Sequence, residues 1–95
     1  ELISANTPLY QKEVENLSST QLNLLKAIVK GEIQLTAGAV MNKYKLGTPR
    51  NVISNRKTLS NKDIIYEQNK KYELLDPAFE MWFLKQFFNE DYKLS

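Results

Sequence analysis

Apolar residues recur at helical spacing most clearly in the segment that begins at Leu17. The stretch Ser18–Gln21 has the order of a capping box, and Leu17 and Leu22 flank it at the spacing of a hydrophobic staple. The residues that share one face of the predicted helix are Leu22, Leu25, Ile28 and Val29. The residues expected to face water are Asn23, Lys26 and Lys30. Gly31 then stands where a left-handed residue ends a helix.

Two shorter helices are predicted on either side of this one. The Thr7-Pro8 pair is typical of an N-cap and a first helical residue, so a helix is expected over about Pro8–Asn16, with residues 1–6 as a frayed connection. On the other side, Thr36 is expected to cap a third helix that ends at Gly47. The residues of this third helix expected to point inward are Ala37, Val40, Met41 and Tyr44.

A fourth helix carries more polar surface than a core element needs. Thr48 and Pro49 supply its cap and its first residue, and it should extend to about Asn61. The residues expected to pack inward are Val52, Leu59 and Ile53. Only three or four residues separate the third and fourth helices, and the turn between them contains glycine. This spacing predicts a helix-turn-helix with the fourth helix in the recognition position.

Two short segments rich in β-forming residues follow the fourth helix. They are Ile64–Tyr66 and Tyr72–Leu74, and the polar stretch Glu67–Lys71 between them has the length of a hairpin loop. The pattern predicts a two-stranded wing with a basic loop. The Asp76-Pro77 pair then repeats the cap-and-proline signal and starts a final helix that continues to about Asn89.

The apolar residues of the final helix extend around more of its circumference than a one-sided helix requires. They are Phe79, Met81, Trp82, Phe83, Leu84, Phe87 and Phe88. Either the N-terminal helix and the wing cover them, or part of the helix is a docking surface for a missing module of the same protein or for a second copy in a homo-oligomer. Trp82 and Phe88 are the candidate docking residues. Asp76, near Glu73 and Glu80, is interpreted as a helix cap rather than a catalytic acid.

The composition limits what the chain can do. Ninety-five residues, of which 42% are hydrophobic and 25% charged, match one globular domain. The absence of cysteine and histidine excludes disulfides and Cys-His or Ser-His-Asp catalysis and argues against a transition-metal site. We therefore expect no catalytic residue, no metal site and no cofactor in this chain. Because no run of about 18 apolar residues is present, a soluble cytoplasmic protein without membrane contact is expected.

Basic charge is concentrated in the middle of the chain. Residues 1–35 carry a net −1, and residues 72–95 carry −3. Residues 36–71 contain eight basic and two acidic residues, which gives +6. This segment contains the predicted helix-turn-helix and wing, so the charge favours an anionic partner for these elements.

The predicted fold class is mainly α with a small β-hairpin, a winged helix-turn-helix. Residues 1–95 are expected to form a single domain with four parts. These are an N-terminal helix and connection over 1–16, a helical core over 17–61 with the helix-turn-helix at 36–61, a wing over 62–75 and a C-terminal helix over 76–90.

Three segments resemble the C-terminal winged-helix domain of archaeal-type AAA+ family ATPases, which are also common in bacteria. They are Q-x-x-L-L-K-A-I at Gln21–Ile28, L-G-T-P at Leu46–Pro49 and D-P-x-F-x-x-W at Asp76–Trp82, within a resemblance that covers about residues 17–84. The resemblance implies that ATP and magnesium bind in an upstream module of the same chain, since no G-x-x-x-x-G-K-[ST] occurs here. The start at Glu1 rather than methionine fits a piece of a longer protein.

The fourth helix departs from that family at Asn55-Arg56, where members carry an alanine-leucine pair. The two polar residues interrupt the apolar stripe between Val52 and Leu59. Either Arg56 lies along the edge of the core with its guanidinium extended outward, or the helix packs differently.

Basic, amide and hydroxyl side chains on the fourth helix suit phosphate oxygens and base edges. The residues expected to contact double-stranded DNA are Thr48, Arg50, Asn51, Ser54, Asn55, Lys57 and Thr58 on the helix and Lys70 and Lys71 on the wing. The alternative hypothesis is a protein-interaction or regulatory module that docks on the ATPase or a partner without touching DNA. A further alternative is that these polar residues only form a solvated helix face and a polar loop.

Overall fold

The computed structural model describes the backbone of residues 2–88 and the side chains of residues 8–88. In this part of the chain the elements are α1 (Leu2–Glu15), α2 (Ser19–Val29), α3 (Gly38–Tyr44), α4 (Pro49–Asn61), β1 (Ile65–Gln68), β2 (Lys71–Leu74) and α5 (Pro77–Phe88). The two strands pair antiparallel, with Ile65 opposite Leu74. This order confirms the predicted winged helix-turn-helix. The predicted end of the final helix at Asn89 lies outside the described residues.

Helix α1 begins earlier than the Thr7-Pro8 pair predicts. It starts at Leu2 and contains Pro8 in its interior, so the predicted start at Pro8 and the frayed connection before it are wrong. A proline inside a helix removes one backbone hydrogen bond and crowds the carbonyl four residues earlier, although its fixed φ angle is helical. The helix therefore continues through a residue whose sequence signal is that of a helix start.

Both ends of α2 form as the sequence predicts. Ser18 Oγ accepts a hydrogen bond from the Gln21 amide at 3.2 Å, and Gln21 Oε1 accepts one from the Ser18 amide at 3.0 Å. These two bonds complete the capping box. At the other end Gly31 has a left-handed φ of 88°, and its amide and the next one bond back to carbonyls of the last turn.

More of the α2 surface is covered than its apolar pattern predicts. The buried residues are Leu24, Leu25, Ala27 and Ile28, while Leu22 and Val29 are partly buried. Lys26 and Lys30 were expected to face water only, yet their ammonium groups lie 5.2 and 4.9 Å from the ring centroids of Phe87 and Phe88. The last turn of α5 therefore lies beside the polar side of α2, within cation–π distance.

Helix α3 differs from its prediction at both ends. Ala37 occupies the N-cap position without a side-chain hydrogen bond, so Thr36 is not the cap. The carbonyl of Ala37 accepts the first helical bond, from Met41, which explains the shift by one residue. At the other end Lys45 adopts a left-handed φ of 58° and stops the helix before Gly47, which belongs to the turn.

The wing has longer strands and a tighter turn than predicted. Its loop is Asn69-Lys70 alone, so the rest of the expected Glu67–Lys71 loop continues the strand pairing. Asn69 and Lys70 have left-handed φ values of 56° and 63°. Such a two-residue turn matches the natural twist of paired strands.

Helix α1 covers one side of α5. The ring centroid of Tyr10 lies 5.2 Å from Phe79 and 5.8 Å from Trp82, and Tyr10 Oη donates to Asp76 Oδ2 at 3.2 Å. Asp76 Oδ1 accepts from the Ala78 amide at 3.0 Å, which agrees with its interpretation as a cap. Trp82 is only 4% exposed, so it belongs to the domain's own core rather than to an open docking surface.

Two aliphatic side chains hold α4 against the rest of the domain. Val52 and Leu59 have no exposed surface, as predicted, and α4 packs on α2 and β1. Ile53 was expected to pack with them, but it is 54% exposed. Adjacent helical residues point more than a quarter turn apart, so Ile53 and Val52 cannot occupy the same narrow face.

Leu59→Ala should lower the free energy of unfolding by about 2–5 kcal/mol, because it removes a fully buried side chain and leaves a cavity. Ile53→Ala on the same helix is the matched control and should change this free energy by at most about 0.5 kcal/mol. Urea unfolding followed by circular dichroism measures both. Equal losses in the two variants would contradict this orientation of α4.

Candidate nucleic-acid interface

The turn before α4 places the start of that helix at the surface. Gly47 has a φ of 91°, and a Cβ at this position would lie 2.8 Å from Asn51 Oδ1, so the turn requires glycine. Asn23 of α2 donates from Nδ2 to the carbonyl of Lys45 at 3.2 Å. That bond ties the turn to α2 and shows that Asn23 does not merely face water.

Thr48 and Asn51 form the capping box at the start of α4. Thr48 Oγ1 accepts from the Asn51 amide at 3.2 Å, and Asn51 Oδ1 accepts from the Thr48 amide at 3.0 Å and from its hydroxyl at 2.8 Å. Both residues are exposed, but their oxygens hold the first turn together. These oxygens are engaged in the cap, so a contact that used them would compete with the bonds that start the helix.

Asn55 and Arg56 flank the buried stripe of α4, one on each side. Asn55 Nδ2 donates to Thr20 Oγ1 of α2 at 3.3 Å, and the Arg56 guanidinium carbon lies 5.1 Å from the ring centroid of Tyr72 in β2. Both side chains are half-buried. The polar pair is thus accommodated by contacts to α2 and the wing. Asn55, expected to contact DNA, turns toward α2 because its hydrogen-bond partner lies there.

One outer face of α4 is formed by residues spaced three, four and seven apart. Its members, all exposed, are Arg50, Ile53, Ser54, Lys57 and Asn61. Thr58 lies at the edge of this face, half-buried, with its hydroxyl donating to the Ser54 carbonyl at 3.1 Å. Since this face carries Arg50 and Lys57 and α4 contains no acidic residue, the face is electropositive.

Sequence reasoning missed Ile53 as a member of the outer face. At about 100° of rotation per residue, Ile53 points away from the side that carries Val52 and Leu59. It lies three residues after Arg50 and four before Lys57, so these three residues share one face. The signal was therefore present in the sequence, but it becomes usable only once the buried side of the helix is known.

The two wing lysines stand in different surroundings. Lys70 is exposed at the tip, whereas Lys71 is half-buried at the start of β2 and shares a strand face with Glu73. Burial raises the pKa of Glu80 above its ordinary value, the Glu73 carboxylate raises it further, and Lys71 partly opposes both effects. Lys71 is therefore close to carboxylates of its own domain. Lys70 is the wing lysine better placed for an external phosphate.

Comparison with known proteins agrees with the fold. A family model described as a probable winged helix domain matches residues 8–85, from α1 to α5, and the chain therefore belongs to this family. No curated protein and no solved structure gave a significant match. Winged helix membership suggests a DNA-binding or regulatory role. None of the helices formed by residues 2–88 has the length and apolar character that a bilayer span requires.

Glu80→Gln should stabilise the domain at neutral pH and have little effect below about pH 3.5. The raised pKa means that the folded state holds the Glu80 proton more tightly than the unfolded state. The ionised Glu80 carboxylate is therefore unfavourable in the folded state. The free energy of unfolding falls as pH rises from the ordinary pKa of a glutamate through the higher pKa of Glu80 in the folded state. Thermal unfolding at several pH values measures the difference between variant and wild type.

The matched control for this prediction is Glu67→Gln, which removes the same charge from an exposed wing position. The control should lack the pH-dependent gain in stability. A Glu80→Gln variant that is destabilised at neutral pH would contradict the unfavourable surroundings assigned to this carboxylate.

Proposed function

We propose that this chain binds double-stranded DNA through the outer face of α4 and the tip of the wing. The observation that carries the proposal is the division of α4 into two sides. Val52 and Leu59 are fully buried, whereas Arg50, Ser54 and Lys57 are exposed. A recognition helix requires both properties, because the inner side fixes its orientation and the outer side enters a groove.

The basic residues of α4 are spaced for contact along a groove. Arg50 and Lys57 lie seven residues apart, which is about 10 Å along the helix axis. Arg50 stands in the first turn, where helix-turn-helix proteins contact base edges, and its guanidinium suits a guanine or a phosphate. Lys57 supplies a point charge for the backbone. Lys70 at the wing tip extends the contact to flanking phosphates, so electrostatic docking precedes insertion of the helix.

A second candidate function is protein binding without DNA contact. The observation that favours it is Leu9, which is 64% exposed beside a groove. The charged residues that line this groove are three carboxylates, Glu13, Asp63 and Asp76, and one lysine, Lys62. These carboxylates would repel phosphates but suit a basic segment of another protein. The DNA proposal ranks first because the face of α4 combines exposure with positive charge.

We further propose that the domain is the non-enzymatic C-terminal part of a cytoplasmic AAA+-type ATPase. This part rests on the resemblance of three segments, which form α2, the turn into α4 and the start of α5. ATP and magnesium would bind upstream, in a module of the same chain. Sequencing the gene upstream of residue 1 tests this. A phosphate-binding loop G-x-x-x-x-G-K-[ST] is expected, and its absence would remove the ATPase parent without affecting the DNA proposal.

DNA binding predicts a steep dependence of affinity on salt. Arg50→Ala and Lys57→Ala should each weaken binding to a 20-base-pair duplex about tenfold. Each should also reduce the slope of log affinity against log salt by about one, because one phosphate contact is lost. Fluorescence anisotropy at several salt concentrations measures both quantities.

Lys12→Ala is the matched control, since it removes the same charge from an exposed position on α1. It should change the affinity by less than about twofold. If Lys12→Ala and the two α4 variants weaken binding equally, the attraction is a property of net charge and not of α4. If the wild-type domain shows no salt-dependent binding, the protein-binding candidate takes its place.

A further inference from the structure

An isolated apolar side chain lies in the middle of the basic face of α4. Ile53 is 54% exposed, three residues after Arg50 and four before Lys57, beside Ser54. Residues at these spacings are neighbours on a helix surface. The outer face is therefore not uniformly polar, because it presents one branched aliphatic group between two positive charges.

The fold itself gains little from isoleucine at this position. The core contacts of α4 are made by Val52 and Leu59, and a β-branched residue favours a helix less than alanine, lysine or glutamine does. An aliphatic group flanked by positive charge is suited to a partner that offers an apolar group between phosphates. In the major groove of DNA, that apolar group is the C5-methyl of thymine.

We propose that Ile53 contacts the C5-methyl group of thymine and gives the domain a preference for thymine at the base pair facing the centre of α4. This inference rests on the proposed DNA binding by α4. Arg50 and Lys57, each about one turn away along the helix, hold the centre of α4 against the groove. Removing one methyl group from water in this contact strengthens binding about fourfold.

The test compares two duplexes that differ only in the methyl group. One is an alternating dA-dT duplex of 20 base pairs, and the other carries deoxyuridine in place of every thymine. Uracil keeps the hydrogen-bonding groups of thymine and lacks only the C5-methyl. Wild-type protein should bind the thymine duplex about fourfold more tightly in fluorescence anisotropy at fixed salt.

Two variants of the same position sharpen the comparison. Ile53→Ala should bind both duplexes equally, and Ile53→Val should keep part of the preference. Arg50→Ala should weaken binding to both duplexes by the same factor, because it removes a contact other than the methyl contact. Since Ile53 is largely exposed, circular dichroism should show that both Ile53 variants are folded.

The outcomes distinguish failure of the thymine contact of Ile53 from failure of DNA binding by α4. Equal wild-type affinity for the two duplexes, or a thymine preference retained by Ile53→Ala, would overturn the role of Ile53 and leave DNA binding by α4 in place. No salt-dependent binding to either duplex would overturn both. A thymine preference that is lost in Ile53→Ala, reduced in Ile53→Val and kept in Arg50→Ala is the result that supports the inference.

Discussion

The burial of Val52 and Leu59 fixes how α4 lies on the domain, and with it the exposure of every α4 side chain. Complete removal of such side chains from water contributes roughly 1.5–3 kcal/mol each. Because both lie on one side of α4, their burial also fixes the rotation of the helix about its own axis. That rotation alone determines that Arg50, Ile53 and Lys57 are directed away from the domain.

Polar contacts around α4 refine the orientation set by the core. The capping box of Thr48 and Asn51 sets where the helix begins, and the Asn23 amide holds the preceding turn on α2. Asn55 and Arg56 then contact α2 and the wing from opposite sides of the stripe. Exposed hydrogen bonds contribute little energy individually. Together they restrict the orientation of α4 relative to α2 and the wing. A fixed orientation is needed for a helix that enters a groove of DNA.

The two candidate functions occupy different parts of the domain. The basic face of α4 is available without disturbing the core, since its exposed residues make few contacts inward. The aromatic side of α5 is not available in this way, because Trp82 is packed against Tyr10 and Phe79. At 4% exposure, that tryptophan is not accessible to an external partner unless part of the core is displaced. Leu9, exposed beside a groove with three carboxylates and one lysine, is the more accessible of these two apolar positions.

Short-range signals in the sequence determined the elements and the ends of α2 and α4, because each capping box joins residues only three apart. The threonine-proline pair at Thr7-Pro8 was a misleading signal, since the helix begins at Leu2 and continues through the proline. Only the tertiary structure determined the surroundings of the Asn55, Ile53 and Trp82 side chains. Asn55 meets Thr20, 35 residues earlier in the chain, and Trp82 meets an aromatic residue of α1. Local pattern indicates which residues can share a face, but packing of distant elements decides which face is buried.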